Sequence, residues 1–74
     1  MAPLRPLQYR EVKRRLEAAG FTETTTKGSH VKFVKVTPTG TLTATVPHHR
    51  EVASGTLRSV LRQAGLTEAE FEKL

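Results

Sequence analysis

The chain has no cysteine and no tryptophan, one methionine, and only four aromatic side chains: Tyr9, Phe21, Phe33 and Phe71. Without cysteine there are no disulfides and no thiolate metal ligands, which fits a reducing, cytoplasmic setting. No long apolar run occurs. The stretch Met1 to Gln8 carries Arg5 and two prolines, so neither a signal peptide nor a membrane span is expected. Seventy-four residues predict one domain, 1–74, which buries only ~60% of its unfolded surface on folding. Its core must come from leucine, valine, alanine and the four aromatics. So little material leaves no deep pocket for a large cofactor, and none is expected.

Positive charge is plentiful. Twelve Lys and Arg stand against seven Asp and Glu, a net charge of +5 with a sequence pI near 10.3. That balance favours a polyanionic partner. Nucleic acid ranks ahead of membrane because no basic amphipathic anchor is visible. Many small soluble proteins are also basic, so charge alone does not decide the question.

Tyr9, Val12, Leu16 and Ala19 recur at helical spacing, with Arg10, Lys13, Arg14 and Arg15 between them. This predicts a helix from Gln8 to Ala19, bounded by Pro3 and Pro6 before it and Gly20 after it. Phe21 to Lys27, rich in β-branched threonine, suits a strand. Gly28-Ser29 reverses the chain, and His30 to Val36 forms a second strand. Thr37-Pro38-Thr39-Gly40 reads as a turn. Thr41 to Val46 alternates threonine with Leu42, Ala44 and Val46, as a strand with one buried face should. Pro47 is expected to end it by removing a ladder donor, and His48 to Ala53 reads as loop.

Ser54 is placed to cap a helix carrying Leu57, Val60, Leu61 and Ala64 on one stripe, closed by Gly65. Thr67-Glu68-Ala69-Glu70 reads as a capping box stapled by Leu66 and Phe71, opening a short helix over about Glu68 to Lys73. The expected fold is therefore α+β: helix, three-stranded antiparallel sheet, helix, and a short C-terminal helix, in two layers. The helix–strand–strand–strand–helix order is that of double-stranded-RNA-binding domains.

The orientation of His30 depends on strand register. With Phe33 inward, Val31 joins it and His30 and Lys32 face solvent. A glycine bulge would instead send Val34 and Val36 inward and His30 with them. Burial of a phenylalanine, ~2–3 kcal/mol, favours the first arrangement.

RNA can be cleaved through its own 2′-hydroxyl. An enzyme must take that proton, steady the phosphate charge and help the 5′ oxygen leave. Histidine suits the proton step, with an unperturbed pKa of ~6.5. At the end of the turn, His30 has Gly28 and Ser29 before it, where backbone can approach closely and amides can face a phosphate. Lys27 and Lys32 flank it with positive charge. An exposed histidine is, on chemistry alone, more often an ordinary surface residue.

His48 and His49 read as part of a polar loop entering a helix. No carboxylate or thiolate spacing supports a zinc site built from them and His30, so no metal is expected. Arg58 and Arg62, four apart on the second long helix, and Arg10, Lys13 and Arg14 on the first, are either solvated helix faces or surfaces that track RNA phosphates. Tyr9 reads as core rather than as a base-stacking platform.

Three segments, Lys27-Gly28-Ser29-His30, Val46-Pro47-His48-His49 and the run from Gly55 to Leu66, in this order and in so short a basic chain, resemble the HicA family of bacterial toxins. The resemblance runs from the helix around Tyr9 to the end of the chain. It implies a small RNA-cleaving toxin with the fold of double-stranded-RNA-binding domains, acting on messenger RNA without metal and paired with a HicB antitoxin. It also implies that His30, as the histidine of the Gly-Ser-His segment, is catalytic; charge and turn chemistry add Lys27, Gly28, Ser29 and Lys32 as residues expected at the RNA, with Arg58 and Arg62 as candidate further contacts. The antitoxin is expected to cover the His30 surface, and the toxin's positive charge suits an acidic partner. Gln8 at the first helix start, where serine or threonine would cap better, and Thr24-Thr25-Thr26 depart from the family pattern. The rival readings are a non-catalytic double-stranded-RNA-binding module and a protein-interaction domain that pairs through an edge strand.

Overall fold

Runs rich in β-branched valine and threonine produce three paired strands. The computed structural model describes residues 4–74, so Pro3, expected to bound the first helix, lies outside it. In order, the elements are β1 (Leu7–Gln8), α1 (Tyr9–Ala18), β2 (Thr22–Lys27), β3 (His30–Thr37), β4 (Gly40–Pro47), β5 (Glu51–Val52), α2 (Ser54–Ala64) and α3 (Glu68–Glu72). Strands β2, β3 and β4 form an antiparallel sheet with β3 in the centre. The architecture is the expected α+β arrangement of helix, three-stranded sheet, helix and short final helix.

One face of the sheet is buried by the helices. Val31, Phe33, Ala44 and Val46 point into a core shared with Val12 and Leu16 of α1, Leu57, Val60, Leu61 and Ala64 of α2, and Phe71 of α3. Phe33 is fully buried, whereas Val36, two positions from Val34 on the opposite face, is 80% exposed. Phenylalanine burial thus sets the register, and His30 and Lys32 are exposed on the outer face. The sheet does carry a bulge, but in β2 between Glu23 and Thr25, too far from the turn to reverse His30. At the bulge the Thr24 hydroxyl donates to the Lys32 carbonyl at 3.2 Å. No helix among the described residues is long and apolar enough to cross a membrane.

Three expectations need correction. Pro47 is itself the last residue of the third strand, which was expected to stop at Val46, and it stands opposite His30 in the ladder. The Thr45 amide turns outward to the Gln63 side-chain oxygen at 2.9 Å. Strand alternation therefore puts the missing Pro47 donor at the same open edge, where the ladder loses nothing. Second, His48 to Ala53 is not all loop. Glu51–Val52 pairs antiparallel with Leu7–Gln8, which burial of Val52 to 1% exposure explains. Third, Ser54 is the first residue of α2, not its cap. Ala53 takes the cap position, with no side-chain hydrogen bond.

Gly65 closes α2 with φ of 70°, and the Thr67–Glu70 capping box is formed in both directions. α1 starts after an uncapped Gln8. The Gln8 side-chain oxygen instead accepts from Arg10 Nε at 3.0 Å.

Candidate functional site

His30 opens β3 immediately after the Gly28–Ser29 turn, and its position is fixed from both sides. Lys27 faces it across β2 and Pro47 across β4. Directly paired residues share a face, as do residues two apart on a strand. Lys27, His30 and Lys32 therefore cluster at one end of the outer face, and all three are exposed. Gly28 has φ of 60°, and no other residue of the turn has positive φ. Glycine at the first central position is the pattern of a two-residue type II′ hairpin. A Cβ added at Gly28 would meet nothing within 4 Å. Its backbone conformation is what requires glycine within the fold itself.

The turn is tied to the end of β4. The backbone N–H of His48 donates to the carbonyl of Ser29. Continuing the β4 alternation past outward Pro47 turns His48 toward α1, where its ring stacks on Tyr9 with centroids 3.9 Å apart and planes inclined by 26°. Tyr9 is buried, as expected of a core residue, and His48 is exposed. Burial is the main cause that raises the Tyr9 pKa. Beside the stack lies an open cleft of about 470 Å³ lined by Gln8, Tyr9, Arg10, His48, His49 and Arg50. Reading His48 as loop missed this stack; the unbroken alternation Thr45, Val46, Pro47, His48 was the signal that could have found it.

The basic residues fall into distinct groups. On α1, Glu11 receives Arg14 at 2.6 Å and Arg15 at 2.8 Å, and Lys13 pairs with Glu23 at 2.8 Å. The hydrogen bond from Arg14, then that from Arg15, hold the Glu11 carboxyl down to about 2. The Glu23 hydrogen bond raises Lys13. These three cations have carboxylate partners within the fold. Arg58 and Arg62 are exposed on α2, in the layer beneath the sheet, whereas His30 projects from its other face. The fold thus brings together Lys27, Gly28, Ser29, His30 and Lys32 and sets Arg58 and Arg62 apart from them. Among the described residues, no three His, Asp or Glu side chains are grouped so as to hold a metal ion.

What this arrangement can do follows from its parts. An exposed imidazole between two ammonium groups can exchange a proton with a ligand whose negative charge those groups attract. The family description "HicA toxin of bacterial toxin-antitoxin" matches residues 9–66. The matched span holds the turn, the sheet and α2 but stops short of α3, which the resemblance read from the sequence had included. No curated protein matches the chain.

Proposed function

The chain belongs to the HicA toxin family of bacterial toxin–antitoxin systems, and from that premise we propose that it is an endoribonuclease that cuts messenger RNA in the cytoplasm and is held in check by a HicB-type antitoxin. The observation that carries this reading is the outward presentation of His30 between Lys27 and Lys32. His30 takes the proton from a ribose 2′-hydroxyl. The O2′ attacks the adjacent phosphorus, an O2′–P bond forms, and the P–O5′ bond breaks as the 5′ oxygen takes a proton from solvent, leaving a cyclic 2′,3′-phosphate. Lys27, Lys32 and the hydroxyl and amide of Ser29 hold the phosphate oxygens as charge builds on them. The RNA supplies the nucleophile, so the reaction asks the protein for no metal.

A solvent-exposed one-histidine site gives modest rates, since general acid–base catalysis contributes ~10²–10⁴-fold. A toxin that acts by depleting messages does not need high turnover. The antitoxin is proposed to cover the outer face of the sheet at His30 and to present acidic groups to Lys27 and Lys32, matching the net charge of +5.

The test compares wild type with His30→Ala, both induced in a host lacking the antitoxin. Growth arrest and loss of full-length messages are expected from the wild type alone. Equal arrest by both proteins would remove His30 from the chemistry. Salt-sensitive RNA binding without cleavage by either protein would favour the non-catalytic RNA-binding module instead.

A further inference from the structure

The cleft beside Tyr9 and His48 has features that the chemistry at His30 does not use. It carries two arginines and two histidines and no acidic lining residue. Among the described residues neither Arg10 nor Arg50 is within ion-pair distance of a carboxylate, whereas Lys13, Arg14 and Arg15 on the same helix all are. Arg10 is held only by the Gln8 amide oxygen on its Nε, leaving its terminal nitrogens free to donate. Arg50 is anchored through its backbone: its carbonyl accepts from the Tyr9 amide at 3.4 Å, and the β1–β5 pairing follows directly after it. The volume, about 470 Å³, lies within the ~300–1,000 Å³ range of ligand clefts.

The stack has a direction. Tyr9 is 8% exposed and backs onto the core, so one face of the His48 ring is covered and its other side opens to solvent. A flat, rigidly backed ring beside unpaired guanidinium groups matches the chemistry of a nucleotide, base on ring and phosphate on arginine. The cleft lies on the helical side of the sheet, around its end from the outward His30. Pro47, one residue before His48, is the cross-strand partner of His30, and the His48 amide is bound to Ser29 of the catalytic turn. A strand of RNA crossing the end of the sheet would pass from one site to the other.

We propose that this cleft is a second RNA subsite, in which a base flanking the cut site stacks on His48 while Arg10 and Arg50 hold its phosphate. The proposal rests on the endoribonuclease reading. It assigns His48 to binding and substrate positioning, with no proton transfer. It also commits the cleft to single-stranded RNA, because a base paired within a duplex cannot expose its face to the ring.

The experiment uses the full chain carrying His30→Ala, which binds without cutting, and a fluorescent, unstructured oligoribonucleotide. Adding His48→Ala is expected to weaken binding by about fivefold or more, the worth of one base–aromatic stack, while His48→Phe keeps affinity within about twofold because it keeps the platform. Arg10→Gln and Arg50→Gln should each lower the slope of log affinity against log salt by about 0.7. The His48 ring protons should move upfield in NMR spectra as RNA is added. Unchanged affinity on His48→Ala, in a protein that melts like its parent, overturns the subsite and leaves the reaction at His30 standing. Failure of the His30→Ala protein to bind any RNA at low salt overturns both together. Equal loss in His48→Ala and His48→Phe also overturns the stacking assignment.

Discussion

Lys27 stands directly opposite His30 across the Gly28–Ser29 turn, so an ammonium and an imidazole leave the same face of the sheet from neighbouring strands. The pair is exposed, and its interaction with a bound phosphate is worth only ~1 kcal/mol at 4 Å in water. Lys27→Ala should therefore lower kcat/KM for RNA cleavage by about fivefold, ~1 kcal/mol, far less than His30→Ala. Lys27→Arg should keep most of the rate, and Lys27→Glu should lose more than the alanine variant. Equal rates for Lys27→Ala and wild type at low salt would take Lys27 out of the site.

Gly28 is the residue that turns Lys27 back toward His30. Its φ of 60° costs a non-glycine residue ~1–2 kcal/mol, with asparagine the least penalised. Because a Cβ there meets nothing, the cost is conformational only. Gly28→Ala should reduce unfolding free energy by about 1–2 kcal/mol, Gly28→Asn by less. Chemical denaturation measures both. A larger loss for Asn than for Ala would show that space, not φ, is limiting.

Much of this site could be read before any coordinates. The period-two pattern of β3 and β4 needed only the question of which apolar set was larger, and Phe33 answered it, sending His30 outward. The Thr67–Glu70 box and the Leu57–Ala64 stripe were equally legible, because each depends on residues three or four apart. The β1–β5 pair was not. Two residues carry no periodicity, and Leu7 meets Val52 across the whole of α1 and the three-stranded sheet in the chain. The Tyr9–His48 stack joins residues nearly forty positions apart for the same reason. The matched charges of α1 were partly visible as Glu11 spaced from Arg14 and Arg15. The partner of Lys13 is Glu23 on β2, and no local pattern announces it.

α3 offers a separation of stability from activity. Thr67 accepts from the Glu70 amide at 3.1 Å and donates its own amide to the Glu70 carboxylate at 2.8 Å. This cap holds a five-residue helix too short to persist alone, and through it the buried Phe71. Thr67→Ala should cost about 1 kcal/mol of stability and lower the melting temperature. RNA cleavage at a temperature well below the melt should be unchanged, since α3 lies outside the family-matched span and on the helical side of the sheet. A fall in kcat at full folding would mean that α3 also shapes the site.

Glu11 gives the fold a defined acid response. It joins Arg14 and Arg15, and those arginines reach on to α3 and the residues after it: Arg15 donates to the Phe71 carbonyl at 3.3 Å and Arg14 to the Leu74 carbonyl at 3.2 Å. Arg15 also lies 5.0 Å over the Phe71 ring. The Glu11 carboxyl falls from 4.5 to about 2 in the folded protein, so folding favours the ionised form. That contribution to stability is fully present above pH ~4.5 and is lost as pH falls toward about 2, where the unfolded chain binds the proton first. The lowered Glu70 pKa acts in the same direction. Glu11→Gln should be less stable than wild type at pH 7 and should lose stability less steeply with acid. The two proteins should converge near pH 2. Urea midpoints measured across this interval provide the check. Parallel curves for the two proteins would mean that Glu11 titrates alike in the folded and unfolded chains, and that its pairing with Arg14 and Arg15 adds nothing to stability in solution.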